Sequence, residues 1–283
     1  TEIYTLSLHD ALPICQRMSG QAPGGRWADL GPRVLSAAVM LAVGAVEIWL
    51  GGWPFLILVM ALTSAMIWEL AAMTGGRGKT ALALAALAAF VFFLDEGWPS
   101  MPSWWVFPAV IVAMALTPRV HPVASAVMAA GIMVAGHGLF VLRDVAGTAA
   151  ILWLIGVVIA SDVMGYFVGR ILGGPKFWPA ISPKKTWSGT IAGWIGATAV
   201  GAGFVAAGQG EPLLLVLSPL VAFAGQMGDI AESWIKRRCA VKDSSNLIPG
   251  HGGVMDRFDA LTGAMVAVMI LGRIIELPVG FGG

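Results

Sequence analysis

The feature that most constrains this 283-residue chain is a succession of apolar stretches separated by short polar links. A helix needs about 20 mostly apolar residues to cross a hydrocarbon layer about 30 Å thick. Such stretches fall at 34–50, 54–73, 80–94, 104–117, 122–142, 147–169, 189–207, 212–228 and 259–277. Lipid offers no partners to the amides of an open sheet edge. The expected fold is therefore all-α, a polytopic transmembrane helical bundle of about nine spans. The third and fourth stretches are the shortest, so one is expected to be re-entrant or to lengthen into its flanks. Gly193, Gly196, Gly201 and Gly203 mark the seventh stretch. Small residues let helix backbones approach closely, which places that helix inside the bundle.

Composition agrees. The chain is 58% hydrophobic and 12% charged, against about 25% charged in soluble domains. That excludes a disordered chain and almost any water-soluble globule. A net charge of +1 and two cysteines exclude a basic nucleic-acid binder and a disulfide scaffold. With a cytoplasmic N-terminus, all but Arg143 and Arg273 of the 17 lysines and arginines fall on the cytoplasmic side, as the positive-inside rule requires. Residues 1–32 read as a leader, 33–150 as N-terminal transmembrane helices and 151–283 as a C-terminal transmembrane catalytic region. The first 17 residues lack a basic segment followed by an apolar one, so they are no secretory signal. They read as a non-native extension ahead of Met18, and deleting them should leave activity intact.

The few charges are concentrated: segments 160–190 and 225–260 hold nearly half of them. Ionisable groups at membrane depth are costly and mark function by default. Asp162 reads as a cation ligand, as the partner of a base in a hydrated cavity, or as a structural carboxylate paired with Arg170. Ser182-Pro183 is a helix-start signal, and a helix N-terminus beside Lys184, Lys185 and Thr186 suits a phosphate. An interfacial loop touching lipid headgroups reads equally well there. If helical, Asp229, Glu232, Ser233, Lys236 and Arg237 share one face, with carboxylates at one end and bases at the other. That order suits a metal followed by phosphates. The Pro249–Gly253 run makes a turn, and Asp256 and Asp259, three apart, can face one site. Hard oxygen ligands suit magnesium. His9, His121, His137 and His251 are scattered, which argues against zinc. No phosphate-binding P-loop, nucleophile elbow or His-Glu-x-x-His is present. Glu47 and Glu69, inside the first two stretches, read as cavity-lining or as paired structural carboxylates. His137 reads as a helix-packing residue, and Trp98, Trp104 and Trp105 as an interfacial aromatic belt.

The run from Ser233 to Asp259 resembles the signature of the phosphatidate cytidylyltransferase family. It supplies Ser233, Lys236, Arg237, Lys242, Asp243, His251, Gly252, Gly253, Asp256, Arg257 and Asp259 at the family's spacing. The blocks Ser161-Asp162…Tyr166…Gly169-Arg170 and Ser182–Thr186 look like the family's two other common blocks. The resemblance implies CTP + phosphatidate → CDP-diacylglycerol + pyrophosphate, dependent on Mg2+, with a second cation such as K+. Asp229 and Asp256 are then the leading metal ligands, with Asp259 and Asp162 as further candidates. Lys236, Arg237, Lys242 and Arg257 would act on phosphates of CTP or pyrophosphate. Ser182, Lys184, Lys185 and Thr186 would hold nucleotide or lipid phosphate, with Ser233, Gly252 and Gly253 completing the binding site. His251 would donate a hydrogen bond or organise its loop rather than act as a base. The expected partners are CTP, phosphatidate and membrane lipid, with a homodimer allowed for and no nucleic acid. The expected location is the bacterial inner membrane, active site facing the cytoplasm. A CTP-dependent kinase of a polyprenol or lipid alcohol is the alternative enzyme. A membrane transporter is the alternative class, although no second copy of either charged block supports the internal repeat common in transporters.

Overall fold

The computed structural model describes residues 30–75, 78–97, 103–248 and 252–279. Expectations for the leader up to residue 29, for Trp98 and for His251 lie outside the described residues, as do the side chains of Trp104 and Trp105. Each apolar stretch becomes a helix: α1 (Leu30–Leu50), α2 (Gly52–Thr74), α3 (Lys79–Gly97), α4 (Ser103–Leu116), α5 (Pro122–Val145), α6 (Gly147–Leu172), α7 (Trp187–Ala206), α8 (Leu214–Arg238) and α9 (Met255–Leu271). Among the described residues, α2, α5, α6, α7 and α8 are long and apolar enough to cross a membrane. At 1.5 Å per residue their 20 to 26 residues span about 30–39 Å. The protein is thus an integral membrane protein with at least this apolar framework. The third stretch does lengthen into its flanks, reaching 19 residues in α3, whereas α4 keeps 14.

One element departs from an all-α chain. Between α6 and α7 lies an antiparallel hairpin, β1 (Lys176–Trp178) and β2 (Ser182–Thr186), with Lys176 opposite Thr186 and Trp178 opposite Ser182. Ser182-Pro183 therefore lies in a strand and does not start a helix. The register is irregular between Lys176 and Trp178, which accommodates a proline that has no N–H to give to a ladder. The helix starts four residues later, where the Thr186 hydroxyl accepts the Gly189 N–H at 3.2 Å.

Close contact at small residues organises the half of the bundle that carries the charges. A Cβ on Gly189 would stand 2.6 Å from the Gly165 carbonyl oxygen, so α6 and α7 touch backbone to backbone there. On α8 and α9 a Cβ at Gly228 would meet the Asp259 carbonyl oxygen at 2.5 Å, and one at Gly263 the Ala224 carbonyl oxygen at 2.4 Å. Helix α7 packs on α6 and α8, but it is not enclosed, since Ile191 and Ile195 on its other face are exposed and Gly203 meets nothing. Polar ties cross the same seams. The Trp153 indole N–H donates to Ser218 Oγ at 2.9 Å. Gln226 of α8 donates to Ser161 Oγ of α6 and the Thr190 carbonyl of α7, and accepts from the Trp194 indole. Without water in the bilayer core, such groups need partners from the protein itself.

Candidate active site

The end of α2, the hairpin, the C-terminal end of α8 and the N-terminal end of α9 meet at one end of the bundle. Helix α8 does not stop where its apolar stretch stops. It continues ten residues to Arg238 and carries its polar stripe into this junction. The three- and four-residue spacing puts Asp229, Glu232, Ser233 and Lys236 on neighbouring turns. Ser233 Oγ donates to Asp229 Oδ1 at 3.3 Å, and Lys236 Nζ pairs with Glu232 Oε2 at 2.5 Å. The close α8–α9 contact at Gly228 and Gly263 then brings Asp259 alongside. Carboxylate oxygens of Asp229, Glu232 and Asp259 all lie within 4.8 Å of one another.

Three carboxylates this close repel one another unless cations intervene. Two lysines do so in part. Lys185 crosses from β2 to form an ion pair with Asp229, and its Nζ also donates to the Gln226 carbonyl at 3.4 Å. Lys236 lies between Glu232 and Asp256, at 2.7 Å from Asp256 Oδ1. Glu232 is fully buried, and beyond its ion pair neither oxygen has a well-aligned hydrogen bond. Asp162, on the exposed side of α6, is in electrostatic reach of Lys185 and Asp229. Arg170, eight residues on from Asp162, donates instead to Tyr166 Oη at 2.7 Å.

Asp256 is placed differently from Asp229 and Asp259. Its Oδ2 accepts the Ser244 N–H at 2.9 Å, the Ser244 hydroxyl at 3.0 Å and the Gly253 N–H at 2.8 Å, while Oδ1 takes Lys236. It joins the loop after α8 to the start of α9. Gly252 turns this loop with φ at +86°, and a Cβ on Gly253 would stand 2.0 Å from Ser244 Oγ. The two glycines are therefore required by the turn itself. Of the remaining expected residues, Lys184, Arg237, Lys242 and Arg257 are exposed at this end of the bundle, Ser182 is half-buried on β2, and Thr186 caps α7.

Three residues here have a role that the sequence does not reveal. Glu232 was placed in the α8 stripe but not among the ligands, although three residues after Asp229 it had the spacing to join them. Gln226 stood in the same run with no role. Glu69 of α2 proves to be fully buried against Ser244, Ser245 and the head of α9: its Oε1 accepts the Val254 N–H at 2.8 Å and its Oε2 the Met255 N–H at 2.6 Å. A lone carboxylate in an apolar stretch was the available signal.

Apolar helices of spanning length that end on a half-buried group of carboxylates and lysines define the class: a polytopic integral membrane protein with a charged site at one end of its bundle. Comparison with known proteins narrows this. The pattern of the Cytidylyltransferase family matches residues 31–275, and the chain belongs to that family. A protein of Brucella abortus biovar 1 (strain 9-941), named phosphatidate cytidylyltransferase, is 36% identical over 269 residues, covering 89% of this chain and 96% of its own length. Proteins of the same name are 40% identical over 148 residues in Helicobacter pylori (strain J99 / ATCC 700824) and 40% over 121 residues in Bacillus subtilis (strain 168). These two alignments cover 50% and 41% of this chain, and 55% and 45% of the relatives.

Proposed function

We infer that this enzyme transfers CMP from CTP to phosphatidate, giving CDP-diacylglycerol and pyrophosphate. The observation that carries the reading is the Asp229–Glu232–Asp259 group, flanked by Lys185 and Lys236, at one end of an apolar bundle. Relatives aligned over most of the chain bear the matching name. A lipid phosphate and a water-soluble triphosphate can meet only near a membrane boundary, and both are anions that a cation-rich site must bring together.

The residues fit Mg2+. Three hard carboxylates lie within reach of one ion, and Glu232 keeps buried oxygens without well-aligned hydrogen bonds. Asp229, Glu232 and Asp259 would hold it, with Asp256 and Asp162 the next carboxylates out; a second cation such as K+ would find counter-charge there. Bound there, Mg2+ would supply Lewis-acid neutralisation of phosphate oxygens. A phosphatidate oxygen attacks the α-phosphorus of CTP in line, the new P–O bond forms, and the bond to the β-phosphate oxygen breaks to release pyrophosphate. The phosphatidate phosphate is largely ionised near neutral pH, so no strong base is needed. Lys185 and Lys236 can turn from carboxylates to phosphate oxygens as charge develops. Lys184, Arg237, Lys242 and Arg257 steer and hold the two anions from the exposed rim.

All nine helices of the described residues would lie in or along the bilayer of a bacterial inner membrane. The charged end faces the cytoplasm, where 33–150 supports the 151–283 region that handles phosphate. Purified enzyme in detergent micelles with labelled CTP and phosphatidate should give CDP-diacylglycerol and pyrophosphate. Asp229→Ala and Asp259→Ala should each cost at least about 10³-fold, near the upper range for removal of one electrostatic contact. CDP as the soluble product would point to a kinase and overturn the reading.

A further inference from the structure

Glu69 lies far outside both charged segments, yet its carboxylate is among the most fully engaged in the protein. It is 0% exposed. Four donors converge on it: the Val254 and Met255 N–H groups, the Ser245 hydroxyl at 2.5 Å and the Ser244 hydroxyl at 3.2 Å. The first two are among the amides that a helix N-terminus leaves without partners, so Glu69 of α2 caps α9 across 185 residues of sequence. Its charge also sits where the α9 dipole is positive. The fit is tight: a Cβ on Gly253 would stand 2.5 Å from Glu69 Oε1.

A buried carboxylate is costly to keep in an apolar helix. Leucine would hold α2 in the bundle as well. What a carboxylate adds is a set of acceptors for the Ser244 and Ser245 hydroxyls and for the amides at the head of α9. From Glu69 the contacts run on without a break. Ser244 also donates to Asp256; Asp256 holds Lys236; Lys236 holds Glu232, one of the three grouped carboxylates.

We propose that Glu69 is a positioning residue for the transfer reaction, fixing Ser244, Ser245 and the head of α9 so that Lys236 and Glu232 stand in register with the phosphates and the cation. This rests on the function proposed above. Glutamine at 69 keeps shape but offers one acceptor and turns an NH2 toward donors. In Glu69→Gln, kcat per folded enzyme should fall about 10–100-fold and the Mg2+ concentration for half-maximal rate should rise several-fold, the usual scale for loss of an outer support to a metal site. Glu69→Asp, which keeps both oxygens, should recover part of each. Ser245→Ala removes one donor of four and should move both quantities in the same direction by about 3–10-fold, close to the net worth of one ordinary hydrogen bond. A purely structural role predicts a lower melting temperature with kcat and Mg2+ half-saturation per folded molecule unchanged. That result in Glu69→Gln, or in Ser245→Ala if the glutamine variant does not survive purification, overturns the proposal. Wild-type enzyme that makes no CDP-diacylglycerol would instead overturn the function on which it rests.

Discussion

Lys236 is the cation on which the charged site most depends, and replacing it by methionine tests that directly. Its Nζ lies 2.5 Å from Glu232 and 2.7 Å from Asp256, and the side chain is 13% exposed. At an effective dielectric of about 20, each contact is worth about 6 kcal/mol before any cost is counted. Stripping water from the ammonium and from two carboxylates offsets most of that. Removing one partner of a buried pair nevertheless leaves charge uncompensated, and typically costs about 3–5 kcal/mol. For a protein of this size that corresponds to a fall in melting temperature of about 6–20 °C. The site then holds Asp229, Glu232, Asp256 and Asp259 with Lys185 as the paired cation. A divalent ion bound among them should restore what was lost, since a ligand of the folded state stabilises as its concentration exceeds its dissociation constant. Lys236→Met should therefore show a melting deficit that shrinks as Mg2+ is raised, more steeply than any Mg2+ effect on wild type. Lys236→Arg should melt close to wild type. Thermal unfolding in detergent across a Mg2+ titration, with pyrophosphate release measured in parallel, gives both quantities. A deficit that is absent, or that is the same at every Mg2+ concentration, would falsify the placement of Lys236 between competing carboxylates.

Gly253→Ala should abolish activity and destabilise the protein by more than about 2 kcal/mol, because its methyl would overlap Ser244 Oγ and Glu69 Oε1. Gly44→Ala, where nothing lies within 4 Å, should be neutral or slightly stabilising. Comparing the melting temperatures and specific activities of the pair separates loop packing from helix propensity. Thr186→Ala should cost about 1 kcal/mol through loss of the α7 cap, read as a small fall in melting temperature that Thr186→Ser reverses. Burial pushes the Cys239 thiol above its ordinary value of 9.0, so its thiolate is scarcer at pH 8 than that of a free thiol. In a Cys15→Ser background, alkylation at pH 8 should be slower than that of free cysteine and should accelerate as pH is raised, followed by mass spectrometry; a rate equal to that of free cysteine at pH 8 would contradict the burial.

What could be read from the sequence follows the range over which each signal acts. Apolar length is a local property, so every helix was foreseeable, and so was the i, i+3 and i, i+4 stripe from Asp229 to Lys236. Helix ends were less so. The expected span 212–228 ended where hydropathy fell, yet α8 runs on to Arg238, because carboxylates and lysines on neighbouring turns can neutralise one another within a helix. The hairpin was hidden by a dipeptide with two meanings. Serine before proline starts helices, but it also sits in an irregular strand, and only the pairing with Lys176–Trp178 decides between them.

The charged site shows the same limit more sharply. Asp256 and Asp259, three residues apart at the head of α9, are both expected as ligands, with Asp256 ahead of Asp259. Their surroundings separate them. Asp256 stands in the first turn, where amide donors and a positive dipole end attract a carboxylate, and it accepts Gly253 and Ser244. Asp259, one turn further in, reaches Asp229 and Glu232 because Gly228 and Gly263 allow two backbones to touch. Nothing in the local spacing distinguishes these fates. Glu69 is the extreme case. No partner of opposite charge stands near it in sequence, its four donors lie 175 to 186 residues away, and two of them are main-chain amides that any residue could supply. A capping interaction of that kind leaves one mark on the sequence, a costly carboxylate in a helix that otherwise has none. Such a residue should be read as evidence for a distant helix terminus or polar loop that needs acceptors, before it is read as a cavity lining.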